Sequence, residues 1–285
     1  MVCGVTVDDT RRVEIRTGRL ARCPSCQSWT YLPRPSAPQQ AALHDNAAYF
    51  QHEYFRGRRE ERAKIAPRCQ RVFSHIAEVA DLRSLTGERL LDIGCDTGSF
   101  ALAAAEGYGL VPMGVDVAAR AVAEARARGV HAFHGEIGEA PAEFSGFRIV
   151  TAVDVIEHTV DPGAFLLDVS SRMAPGGLLY VQTPNLDSTV YRIGGQLCRL
   201  TAARPRSLFE RLFPPQHIQY ISRRGLRALA ARAGLAVASL RTRVLPATDV
   251  ATSPLMRAAV MALQCLDVPR REEILICAVL RKEAS

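Results

Sequence analysis

The sequence predicts an α/β protein: a seven-stranded, mostly parallel sheet with helices on both faces and a small N-terminal arm. Three observations carry this. Seven short apolar runs, at residues 90–93, 110–115, 131–134, 149–155, 178–183, 235–241 and 274–280, have the length of strands. Helical stretches at 99–105, 118–128, 162–173 and 223–233 separate most of them. Gly94 and Gly98 punctuate the turn after the first run. Repeated strand–helix alternation implies a mainly parallel sheet covered on both sides.

Before that core the chain reads differently. Residues 1–35 are polar, with Arg11, Arg12, Arg16, Arg19 and Arg22, and close on Pro33-Arg34-Pro35. The alternation Arg12-Val13-Glu14-Ile15-Arg16 suits a short half-buried strand. Cys23-Pro24-Ser25-Cys26 has the spacing of a metal knuckle, and Cys3 precedes it by about one short hairpin. Cys3, Cys23 and Cys26 are therefore the candidate metal ligands. Residues 36–55 read as a connector, with Tyr49, Phe50, Tyr54 and Phe55 available to pack it down. From Glu60 to Leu82 the positions Ile65, Val72, Phe73, Ile76, Val79 and Ala80 predict an amphipathic helix that Pro67 kinks or starts. The expected division is an arm and connector at 1–45, a connecting helical segment at 46–84 and a core domain at 85–285.

Composition narrows the class. The 285 residues are 48% hydrophobic and 23% charged, which excludes wholesale disorder. The net charge is +7, and of 36 basic residues only Lys64 and Lys282 are lysine. The N-terminus does not read as a signal peptide, and no window offers about 18 uninterrupted apolar residues. The expectation is a cytoplasmic monomer or homodimer without stable membrane insertion, its thiols reduced. Cys69, Cys95, Cys198, Cys265 and Cys277 show no ligand spacing and are expected to pack.

The run Leu90-Leu91-Asp92-Ile93-Gly94-Cys95-Asp96-Thr97-Gly98-Ser99-Phe100 is an apolar strand, a glycine turn and a helix start. Glycines let backbone approach a ligand, and the helix N-terminus offers free N–H groups. The next strand ends at Asp116, where an acid suits two ribose hydroxyls or, alternatively, caps the helix beginning near Ala118. These residues resemble the first motifs of class I S-adenosylmethionine-dependent methyltransferases. The likeness continues through Gly114-Val115-Asp116, Asp154-Val155-Ile156-Glu157-His158 with Asp161-Pro162, Pro175-Gly176-Gly177, Thr183-Pro184-Asn185 and Gln216-His217. It spans about residues 85–240.

The resemblance implies a Rossmann-like fold and S-adenosyl-L-methionine as cofactor. It implies that Asp92 orders the loop and the amino-acid end of the cofactor, or else merely forms the turn, that Gly94 and Gly98 permit close approach, and that Asp116, beside Val117, binds the ribose. Gly135, Glu136 and Ile137 would lie against the adenine, and Asp154 and Val155 would border the cofactor. Asp96 departs from the family pattern, standing where a middle glycine is common. Asp tolerates a left-handed backbone, and its carboxylate would sit near the methionyl end.

A sulfonium methyl needs an in-line nucleophile more than acid–base groups, but a hydroxyl acceptor benefits from a base. His158 and His217 are the candidate catalytic residues, or else structural hydrogen-bonding histidines, with Glu157 beside His158. Tyr191 and Tyr220 are weaker candidates. Residues 186–216 break the strand–helix rhythm and would form a lid, with Arg192, Arg199, Arg204, Arg206, Arg211, Phe209 and Phe213. It either favours an anionic acceptor or is a solvated face. The apolar stretch 255–266 is expected to be core or a dimer contact.

The cysteine arm resembles the zinc ribbon ahead of some sugar and small-molecule methyltransferases, implying structural Zn2+. Its first cysteine pair is incomplete here. An upstream start, a non-Cys ligand such as His44, or a metal-free site each accounts for that. The expected activity is O-methylation of a small-molecule acceptor, a sugar or another metabolite. The rivals are an RNA methyltransferase and a non-catalytic cofactor-binding protein of the same fold. A charge of +7 over this length, with no aromatic–basic motif, argues against nucleic acid.

Overall fold

A computed structural model describes residues 2–4, 8–15, 18–44, 62–201, 212–214, 216–245 and 254–283. The connector aromatics Tyr49, Phe50, Tyr54 and Phe55, and Arg204, Arg206, Phe209 and Arg211 of the expected lid, lie outside these residues.

Seven strands form the main sheet: β4 (Arg89–Ile93), β5 (Val111–Asp116), β6 (His131–His134), β7 (Phe147–Val153), β8 (Met173–Pro184), β10 (Leu235–Arg243) and β11 (Leu275–Lys282). Their order is β10-β11-β8-β7-β4-β5-β6. All the pairs between β8 and β6 are parallel, while β11 runs antiparallel to both of its neighbours. The sheet alternates its side chains with the period of two that a strand imposes. Leu91, Val150 and Leu179 face one apolar cluster, and Leu90, Ile149 and Leu178 face the other. Helices α5 (Pro162–Arg172) and α7 (Arg223–Arg232) cover the first face with Leu166, Val169, Leu226 and Leu229. Helices α2 (Arg62–Ile76), α3 (Ser99–Tyr108) and α4 (Ala119–Ala127) cover the second with Phe73, Ile76, Ala101, Ala104 and Val122. Local signals fix the helix starts. Asp161 accepts from the N–H groups of Gly163 and Ala164 ahead of Pro162. Ser222 accepts from Gly225 N–H.

The boundaries depart from expectation in readable ways. β7 stops at Val153 because Asp154 turns left-handed, with φ +59°. β8 begins five residues earlier than the apolar run. α2 ends at Ile76 and carries Pro67 within it. The connector contains a helix, α1 (Ala37–His44), and the rhythm-breaking stretch contains another, α6 (Thr189–Leu200). Cys69, Cys95, Cys198 and Cys277 are buried as packing residues, but Cys265 is exposed on α8 (Pro254–Asp267), which corrects its expected role. α8 packs on α6, and buried Asp267 accepts from Thr189 N–H at the start of α6. No helix among the described residues is long and apolar enough to cross a membrane.

The arm contributes β1 (Asp8–Ile15), β2 (Gly18–Arg22) and β3 (Trp29–Leu32) to a second, antiparallel sheet. Its fourth strand, β9 (Gln219–Tyr220), comes from between α6 and α7. Thr30 Oγ1 donates to Gln219 Oε1 at 2.9 Å, and Tyr31 N–H donates to Ile218 O at 2.9 Å. Ser222 Oγ donates to Cys26 O at 2.5 Å. The arm is thereby stitched to the segment that holds His217.

Candidate active site

The turn after β4 is built from three left-handed residues: Gly94 (φ +70°), Asp96 (φ +48°) and Gly98 (φ +74°). Asp96 thus adopts the backbone that a glycine would. Gly94 and Cys95 N–H groups both donate to Val115 O, at 2.8 and 3.2 Å, which pins the turn over β5. A Cβ on Gly94 would lie 2.6 Å from Val155 Cγ2, so the turn and the end of β7 are in close approach. A Cβ on Gly98 would lie 2.6 Å from Val130 Cγ2.

Asp116 ends β5, and its carboxylate faces the same turn. One oxygen accepts from Asp96 N–H and the other from Ala118 N–H, each at 2.9 Å. The side chain therefore ties the turn to the start of α4, and burial pushes its pKa up. Val117 follows, its carbonyl 3.2 Å from His134 Nε2. After β6, Gly135 takes φ +143° and donates to Asp116 O, Glu136 N–H donates to Glu139 Oε2, and Ile137 is buried in the core. Asp92, Gly94, Asp96, Gly98, Asp116, Val117, Gly135, Glu136 and Ile137 are all at the carboxyl ends of β4, β5 and β6.

Asp92 lies beneath the turn, 4% exposed, and accepts from Thr151 Oγ1 at 2.7 Å. Burial raises its pKa to about 7 against the Thr151 hydrogen bond and the Arg68 charge, with Asp116 and Asp96 adding repulsion. Arg68 carries no motif and was not singled out from the sequence. Its guanidinium reaches from α2 to Asp154 Oδ2 at 2.9 Å. Gln182 Nε2 donates to the other Asp154 oxygen at 3.0 Å, and Asp154 N–H donates to Gln182 O at 2.9 Å. The only sequence signal for Arg68 is a cation on a helix otherwise read for its apolar face.

His158 and His217 come together, their ring centroids 4.7 Å apart in an edge arrangement. His158 Nδ1 is 3.0 Å from Gln216 O. A carbonyl only accepts, so this contact assigns the proton to Nδ1 and leaves Nε2 as the acceptor. Buried Glu157 accepts from Thr183 Oγ1 at 2.9 Å, and Ile218 N–H donates to Glu157 O. Tyr191 and Tyr220 pack in the apolar cluster behind this group. Of the arginines of the expected lid, Arg192 lies 3.8 Å from Glu272.

Two groups among the described residues could hold a metal ion. The ligand atoms of Glu157, His158 and His217 lie within 4.8 Å of one another, as do those of Cys3, Cys23 and Cys26. Cys3 and Cys23 Sγ are 3.3 Å apart, and Gln27 follows the knuckle left-handed at φ +67°. Burial pushes the Cys26 thiol up to about 12.

Comparison with known proteins agrees with this fold. The family model described as "Methyltransferase domain" matches residues 51–240. "Ubiquinone biosynthesis O-methyltransferase" of Rhodopseudomonas palustris (strain BisA53) is 37% identical over 108 residues, covering 36% of this chain and 43% of that protein. The protein of the same name from Caulobacter sp. (strain K31) is 38% identical over 109 residues, covering 35% and 42%. The chain thus spans less than half the length of these curated relatives. Among solved structures, a SAM dependent methyltransferase from Archaeoglobus fulgidus shares the fold, with TM-score 0.55, 18% identity and coverage of 83% of this chain and 100% of that one. So does magnesium protoporphyrin IX methyltransferase from Synechocystis PCC 6803 with bound SAH, with TM-score 0.53, 16% identity and coverage of 86% and 100%. With more than half of its length matched, the chain belongs to the methyltransferase-domain family, of the class I S-adenosylmethionine-dependent type.

Proposed function

We propose that this protein transfers a methyl group from S-adenosylmethionine to a hydroxyl of a small molecule, a sugar or another metabolite. The observation that carries this reading is the meeting of a glycine cradle and a histidine pair at the carboxyl ends of the sheet's parallel strands, where ligands of such sheets bind. The likeness to proteins named O-methyltransferases supports oxygen as the atom methylated.

The residues present fit the cofactor. Any side chain at Gly94 or Gly98 would collide with Val155 or Val130, so glycine is what lets the left-handed turn pack this closely and keep its own outer face as bare backbone. Asp116 has lone pairs beyond those taken by Asp96 and Ala118, enough to accept from two ribose hydroxyls. Gly135, Glu136 and Ile137 would hold the adenine end, and Val117, Val155 and Asp154 would border the cofactor. Asp96, with Asp92 beneath it, would hold the ammonium, and Arg68 the carboxylate. When bound, S-adenosylmethionine supplies an electrophilic methyl on a positive sulfur. Positioning provides much of the rate. His158 Nε2 accepts the acceptor's hydroxyl proton, while Gln216 O holds the ring's tautomer. His217 orients the same hydroxyl. A second reading rests on the spacing of Glu157, His158 and His217, which also suits a divalent cation that would polarise the hydroxyl.

The Cys3, Cys23 and Cys26 set suits structural zinc, whose ~2.3 Å bonds to sulfur bring thiolates to about this separation. No fourth His, Cys, Asp or Glu joins them among the residues whose side chains are described, and the side chain of His44 lies outside those.

Calorimetry with S-adenosylhomocysteine, followed by mass spectrometry of a panel of hydroxylated sugars and phenols, tests the main reading. Asp116→Ala should weaken cofactor binding about tenfold or more. His158→Ala should leave binding within about twofold and abolish turnover. Absence of cofactor binding to folded protein, or the reverse ranking of the two variants, defeats the reading. Activity that a chelator removes and zinc or magnesium restores assigns the histidines to a cation instead.

A further inference from the structure

β10 runs parallel to β4, β5, β7 and β8, because it is antiparallel to β11, which is itself antiparallel to β8. Its last residue, Arg243, therefore stands at the same end of the sheet as the cofactor cradle. The side chain crosses β11 toward β8, and Nη2 lies 3.4 Å from Gln182 Oε1. Gln182 Nε2 in turn donates to Asp154, and Asp154 pairs with Arg68. A polar chain Arg68–Asp154–Gln182–Arg243 thus spans the carboxyl end of the sheet.

Its charges do not cancel. The one carboxylate, Asp154, is met directly by Arg68. Arg243 has only the neutral Gln182 amide and the Cys277 sulfur, and no carboxylate pairs with it among the described residues. Its Nε is buried without a hydrogen-bond partner among those residues. A guanidinium edge made of Nε and Nη matches a two-oxygen anion. Arg243 as a whole is only partly buried, so an incoming anion can reach the guanidinium and supply the countercharge it lacks among the described residues. The Cys277 thiol and Tyr180 hydroxyl beside it both feel its positive charge.

We propose that Arg243 binds an anionic group of the acceptor, a carboxylate or a phosphate, and so orients its hydroxyl toward the histidines. Gln182 and Thr183 are successive residues of β8, so they point to opposite faces of its end. Gln182 leads to Arg243, and Thr183 leads through Glu157 to His158. An acceptor lying over that strand end meets both. The inference rests on the methyltransferase reading above and adds to it the charge of the substrate.

The test uses the full chain saturated with S-adenosylhomocysteine and three probes: 3,4-dihydroxybenzoate, phenyl phosphate and neutral catechol. Binding is followed by ligand-observed NMR at low salt. Wild type should bind at least one anionic probe about tenfold tighter than catechol. Tighter benzoate binding assigns a carboxylate, and tighter phosphate binding a phosphate ester. Arg243→Gln should remove that preference, Arg243→Lys should keep part of it, and both should hold S-adenosylhomocysteine as wild type does. Equal or absent binding of charged and neutral probes overturns the proposal, as does a preference that survives in Arg243→Gln. If Arg243→Gln fails to fold, as its melting curve would report, Arg243→Lys carries the decision by a weakened preference. Failure of wild type to bind S-adenosylhomocysteine instead overturns the methyltransferase reading.

Discussion

At the scale of single residues, Asp92 couples the site to pH. An exposed carboxyl loses its proton near 3.8, but the buried Asp92 holds one up to about 7. Between those values the unfolded chain binds fewer protons, so stability falls as pH rises through that window. Asp92→Asn keeps an oxygen for Thr151 and removes the charge. Its melting temperature should therefore fall less than wild type's between pH 5 and pH 8, by a few degrees, while cofactor affinity drops. Identical pH slopes for the two proteins would show that Asp92 does not titrate in this range. Arg68 is a different case. Its pair with Asp154 is a quarter or more exposed on each side, so it adds on the order of 1 kcal/mol or less to stability. Arg68→Gln should leave the melting curve nearly in place and weaken cofactor binding by about tenfold, read by calorimetry. A large loss of stability with unchanged affinity would make Arg68 a structural residue.

At the scale of elements, the physics of burial decides what the sequence displays. The central strands are covered on both faces, so Leu90–Leu91 and Leu178–Leu179 read as continuous apolar runs and are found at once. The glycine turn is visible because its backbone demands particular residues. β9 is invisible: two residues pair with a strand far away in the chain, and nothing local marks them. α6 hides because its buried positions Val190, Tyr191, Gly194 and Cys198 sit among arginines and glycines. Arg68 and Arg243 are hidden for the same reason, since a lone arginine acquires meaning only from what the fold sets beside it. The Cys23–Cys26 knuckle touches β9's neighbour Ser222 and so reaches the histidine segment. Purified protein should carry about one zinc per chain by elemental analysis, with cysteine thiolates as ligands. Cys23→Ser with Cys26→Ser should lose it and lower turnover while S-adenosylhomocysteine affinity holds. Full activity without metal would limit the cysteines to packing.

At the scale of the whole molecule, the cradle and the histidine pair join parts that meet only in the folded chain: α2, the ends of β4 to β8, and the His217 segment to which the arm is bonded. A ligand that binds only this assembled state stabilises it by mass action, about 2.7 kcal/mol at a hundred times its dissociation constant. S-adenosylhomocysteine at that excess should raise the melting temperature by several degrees in wild type and in His158→Ala. It should raise it little in Asp116→Ala at the same concentration. Equal shifts in all three proteins would remove Asp116 from the cofactor site.

The shared strand β9 also orders events in time. Thr30 and Gln219 bond across 189 residues of chain. As the chain leaves the ribosome, β3 precedes its partner β9 and waits for it until five of the seven main-sheet strands have been synthesised. During that interval it is an open sheet edge, with the hazards such edges carry. Closing so long a loop delays docking, so the arm's contacts should be among the first lost on unfolding, read as faster hydrogen exchange at β3 and β9 than at β4. The segment that carries His217 is thus held by both the arm and the core only after that closure.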